Sequence, residues 1–85
     1  MGQELIVGKR VIGRVIQLMP FGAFVAIEDS DLVGLVRIPE ISWKPIKHPQ
    51  DVLSVDQMVE AEILALGPEN GQVSLSIKRC QPDIP

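Results

Sequence analysis

Two stretches of this chain alternate with a period of two, a pattern that a helix cannot bury on one side. Val59, Ala61, Ile63 and Ala65 interleave with Glu60 and Glu62, and Val73, Leu75 and Ile77 with Gln72, Ser74, Ser76 and Lys78. Successive side chains of a strand point to opposite faces, so each stretch is built to give one face to a core and the other to water. Three earlier runs rich in Val and Ile extend the pattern. The chain therefore reads as strands at Lys9 to Leu18, Phe21 to Glu28, Leu32 to Ile38, Gln57 to Leu66 and Gln72 to Lys78.

Turn residues separate these runs. Met19-Pro20 ends the first, and Glu28-Asp29-Ser30-Asp31 turns the second into the third. Pro39 lacks a backbone donor and stops pairing, so Pro39-Glu40-Ile41 reads as a tight turn. A polar connection with two prolines follows, Ser42 to Gln50, with a short helical turn expected near Gln50 to Leu53. Gly67 to Gly71 is a hairpin in which Asn70-Gly71 can take left-handed conformations. Five short strands with a long connection after the third fit an all-β class, a small closed barrel of the oligonucleotide/oligosaccharide-binding (OB) type.

Eighty-five residues allow one domain with one small core. The expected division is a lead-in at 1–6, the barrel at 7–79 and a flexible tail at 80–85. Cys80 stands alone, which rules out an internal disulfide and a cysteine zinc cluster. A lone thiol suits a reducing compartment, and the expectation is cytoplasmic. No apolar run is long enough to cross a bilayer, and Met1-Gly2 lacks the Ser or Thr of a myristoylation start because Ile6 stands there. No membrane partner is expected, and a monomer is favoured.

The chemistry concentrates in Phe21-Gly22-Ala23-Phe24-Val25 and Gly34-Leu35-Val36-Arg37-Ile38. The chain has two Phe, one Trp and no Tyr, so each ring is either core packing or a surface platform. Any base can stack on an exposed ring, which is how single-stranded nucleic acid is held without reading its sequence. Phe21 and Phe24 are three apart, so a regular strand sends them to opposite faces. Either one ring then fills the barrel and the other is exposed alone, or a bulge or strained start, which Gly22 can host, turns Phe21 onto the same face as Phe24. Arg37, beside inward Val36, should face outward.

Charge bounds the strength of such binding. The net charge is −3, against a nucleic-acid grip made mainly through phosphates. Lys9, Arg10 and Arg14 nevertheless cluster early, and Lys44, Lys47 and His48 share the central connection with Trp43. Catalysis finds no support: the one His and the one Cys have no carboxylate at a dyad spacing, and no glycine loop is built to cradle phosphate. The sequence predicts no enzyme, no metal site and no cofactor.

With these residues in view, the chain resembles the S-one RNA-binding domain family, whose module occurs as a repeat in ribosomal protein S-one. The resemblance rests on Val7-Gly8, Gly13-x-Val15, Phe21-Gly22-Ala23-Phe24-Val25, Gly34-Leu35-Val36-x-Ile38 and Val73-Ser74-Leu75-Ser76-Ile77-Lys78, in that order. Trp43-Lys44-x-x-Lys47-His48-Pro49 is similar to the connection in certain repeats of that ribosomal protein. The resemblance implies an OB barrel that binds single-stranded RNA, with Phe21 and Phe24 as stacking rings. It also puts Arg37 where the family usually has His, and Gly67 and Gln72 where it usually has an acid and a basic residue.

Two functions follow as expectations. The first is a non-catalytic single-stranded RNA-binding module of low sequence specificity, linked to translation or RNA metabolism. Its site would comprise Phe21, Phe24, Arg37, Arg14, Trp43, Lys44, Lys47 and His48, and a ribosome or other ribonucleoprotein would be a further partner. The second is a protein-docking module of the same fold, which the acidic balance and the exchange at Gly67 and Gln72 favour. Trp43 has a competing role, capping the barrel and anchoring the long connection.

Overall fold

A computed structural model describes residues 6–67 and 72–81. The expected Asn70-Gly71 turn conformations, most of the lead-in and most of the tail lie outside them. Five strands form: β1 (Arg10–Met19), β2 (Gly22–Ile27), β3 (Val33–Arg37), β4 (Met58–Leu66) and β5 (Val73–Ser76). They close into a barrel in the order β1-β2-β3-β5-β4, with β1 paired to β4. The β3–β5 pairing is parallel and every other pairing is antiparallel. Among the described residues, each of the five strands is paired on both sides.

The period-two pattern sets what is inside. Val11 and Val15 from β1, Val25 and Ile27 from β2, Val36 from β3, Ile63 from β4 and Val73 and Leu75 from β5 are all buried in one core. The third-to-fourth connection adds to it: Ile41 and Leu53 are buried in that same core, at 2% and 6% exposure. The helical part of this connection is a single 3-10 turn at Pro49–Asp51, with a second 3-10 turn at Ile38–Glu40.

Two expectations change. Ser76 is fully buried rather than outward. β5 ends there, Ile77 adopts helical backbone angles, and the 3-10 turn Lys78–Cys80 folds back against β4. Trp43 does not cap the barrel, because Ile41 and Leu53 fill that place and Trp43 stays 44% exposed. It does anchor the connection. Its indole N–H donates to the Lys78 carbonyl at 2.8 Å and to the Gln81 carbonyl at 3.2 Å.

Candidate nucleic-acid interface

Phe21 lies in the turn that leads into β2, not in the strand, so alternation does not apply to it. Its ring meets Phe24 edge to face, with centroids 6.2 Å apart and planes at 88°. The two rings therefore share one side of the barrel, as the sequence expectation allowed. No bulge within β2 is involved, because Phe21 precedes the strand. The irregularity in the pairing sits on β1, between Val15 and Gln17, and leaves Ile16 without a partner opposite β2. Gly22 contributes by close approach: a β-carbon there would run into the Val36 carbonyl and lie 3.0 Å from the Arg37 Cα.

That approach joins the rings to Arg37. Gly22 pairs with Arg37 across β2 and β3, and the Ile38 amide donates to the Phe21 carbonyl at 3.2 Å. Arg37 is the exposed last residue of β3. The sequence left open a pairing of Arg37 with Glu28 or Glu40, and among the described residues neither ion pair forms. A guanidinium without a fixed partner can stack on a base or pair with a phosphate.

Leu35 lines the candidate face, and sequence reasoning passed over it. It pairs with Phe24 on one side and Ser74 on the other, and it stands apart from the barrel core although only 8% exposed. With Arg37 outward, alternation places Leu35 outward too, so the signal was present. A shallow groove of about 200 Å³ runs from Leu35 and Arg37 across Ser74 to Gly67 and Gln72. The three positions where this chain departs from the S-one pattern, Arg37, Gly67 and Gln72, thus line the same surface.

The other candidates are placed less centrally. Arg14 pairs with Ala26, two residues along β2 from Phe24, and its guanidinium lies 4.0 Å from Asp56. Both groups are well exposed, so that pair contributes little and leaves Arg14 able to attract an anion. Trp43 has the Lys78 ammonium 4.6 Å from its ring centroid, which occupies one face. Lys44, Lys47 and His48 are exposed on the connection. Among the described residues, no hydrogen bond, ion pair or ring contact joins these four to the Phe pair.

A second groove, of about 360 Å³, runs between the connection and the final 3-10 turn and shares no lining residue with the ring face. Cys80 lines it, and burial, with Glu60 next, pushes its thiol pKa up, which makes it a poor nucleophile at neutral pH. Among the described residues, no cluster of His, Cys, Asp and Glu is placed to hold a metal. None forms a helix long and apolar enough to cross a membrane.

Comparison with known proteins bears on this surface. The family model described as "S1 RNA binding domain" (the S-one domain) matches residues 4–78. The small ribosomal subunit protein bS1 of Leuconostoc lactis is 47% identical over 78 residues, covering 92% of this chain and 18% of that protein. A 4-hydroxy-3-methylbut-2-enyl diphosphate reductase of Clostridium acetobutylicum is 42% identical over 72 residues, 85% of this chain and 11% of that one. Among solved structures, GSP13 from Bacillus subtilis superposes with a TM-score of 0.84 at 38% identity, covering all of this chain and 64% of that one. The chain thus spans under a fifth of the ribosomal relative's length.

Proposed function

This chain belongs to the S1 RNA binding domain family, and on that premise we propose that it is a non-catalytic module holding single-stranded RNA on the face of Phe21, Phe24 and Arg37. The observation that carries the reading is the pair of Phe rings on one side of the barrel, next to a guanidinium that makes no ion pair among the described residues. Base stacking is the main source of affinity, so the module tolerates most sequences.

The ring geometry refines how bases would sit. Rings at 88° form a corner, not a stack. Two bases that stay stacked on each other cannot lie flat on both rings. A splayed dinucleotide can, one base on each ring. Weakly self-stacking strands rich in uridine should therefore bind better than adenosine runs of the same length.

The test is equilibrium binding of a labelled uridine-rich octamer to the parent chain and to Phe21→Ala and Phe24→Ala. Each substitution is expected to weaken binding by about 5- to 150-fold, equivalent to about 1–3 kcal/mol per stacked base. A weak, salt-sensitive affinity that ignores both rings would instead support the protein-docking reading. That rival keeps in its favour the net charge of −3 and the exchange at Gly67 and Gln72. The reductase relative is called neither ribosomal nor RNA-binding. We therefore assign the process served only as translation or RNA metabolism, with a ribosome or other ribonucleoprotein as further partner.

A further inference from the structure

We propose that the groove between Arg37 and Glu40 is a guanine-reading subsite beside the stacking rings, an inference that rests on the RNA-binding reading above. The groove has a volume of about 300 Å³ and is lined by Leu35, Arg37, Glu40, Leu64, Ser74 and Leu75. It shares Leu35, Arg37 and Ser74 with the groove that leads to Gly67 and Gln72.

The chemistry of its two charged groups is complementary and unspent. Glu40 Oε1 is buried, and no donor among the described residues reaches it. A buried acceptor left unmade is costly, and its cost is removed by a ligand that brings a donor. Arg37 lines the same groove, exposed and without an ion pair among the described residues. The Ile77 amide donates to the Glu40 carbonyl at 2.9 Å, and a 3-10 turn holds Glu40 just after β3, so its backbone, from which the carboxylate reaches the groove, is fixed.

A ligand must then offer donors to a carboxylate and acceptors to a guanidinium. A carboxylate only accepts and a guanidinium only donates. Guanine meets both needs: its N1–H and exocyclic amine are adjacent donors, and O6 and N7 are the acceptors that arginine favours. Adenine and cytosine offer the carboxylate one amine beside a ring nitrogen that repels it. Uracil offers one N–H between two repelling oxygens. Unstacked bases in single-stranded RNA present these edges freely, so a guanine splayed from the ring corner can enter.

The test uses the whole chain and uridine hexamers with one central position varied. Guanosine there is expected to bind about tenfold tighter than uridine or adenosine, the scale of one good bidentate pair. Inosine, which lacks the exocyclic amine, should lose most of that gain. Glu40→Gln should also lose it, with the amide spectrum reporting that the variant is folded. The inosine arm needs no variant and decides the matter if Glu40→Gln does not fold. Equal affinity for guanosine and uridine, with shifts still centred on the Phe rings, overturns the subsite and leaves the stacking reading intact. A guanosine gain that disappears with 2′-deoxyguanosine also overturns it, since Glu40 would then be reading the ribose. No binding to any hexamer overturns both.

Discussion

Gly22 shows how one residue assembles the candidate face. Removing its side chain lets β2 run close against the Val36 carbonyl and the Arg37 backbone, and that contact sets Phe21 beside Arg37. Gly22→Ala should therefore destabilise the domain by about 1–3 kcal/mol, the usual cost of forcing extra volume into packed structure. Urea unfolding would read this as a lower midpoint with an unchanged slope. At this scale the sequence was informative but incomplete. The motif placed two rings and a cation near one another, and a period-two count put Arg37 outward. The count could not say that Phe21 lies in a turn, or that the unpartnered residue is Ile16 on the neighbouring strand. Both depend on how β1 pairs with β2, which no local pattern encodes. Leu35 was legible and overlooked, because an apolar residue in a strand reads as core.

At the scale of elements, the long third-to-fourth connection does two jobs that the sequence assigned to one residue. Ile41 and Leu53 close the core, and Trp43 ties the connection to the chain's final 3-10 turn. The only tryptophan looked like the natural cap because of its size. Its N–H instead found two carbonyls at the surface, where its ring remains half open to water. The two roles predict different penalties. Ile41→Ala should cost about 2–5 kcal/mol through a core cavity. Trp43→Phe should cost about 0.5–1.5 kcal/mol, the worth of one shared hydrogen bond. The smaller change should be local, with faster amide exchange at Cys80 and Gln81, whose N–H groups donate to Ile77 and Lys78 within that turn. Ser76 belongs to the same lesson. Its alternation pointed outward, yet it is fully buried where β5 ends and the chain passes into the final turn, which a strand pattern does not show.

For the whole molecule, the five strands and the closed barrel were legible because turn residues and period-two runs agreed along the chain. The parallel β3–β5 pairing was not, since it joins segments separated by the entire connection. The charge balance governs how such a barrel can bind. The net charge is −3, so the chain as a whole repels phosphates and only the cations beside the ring face can meet them. If two or three phosphates are neutralised, the log–log salt slope for single strands should be shallow, about −1.5 to −2. One module should then bind in the range of about micromolar to millimolar, with tighter binding reached through several linked modules.

The most direct test of the stacking face is an amide chemical-shift titration of the chain with a short unstructured RNA, repeated with duplex RNA and at raised salt. The account predicts shifts centred on Phe21, Phe24 and Arg37 with the single strand, persisting at moderate salt and absent with the duplex. Diffuse shifts that follow the lysines and arginines and vanish as salt rises would contradict it.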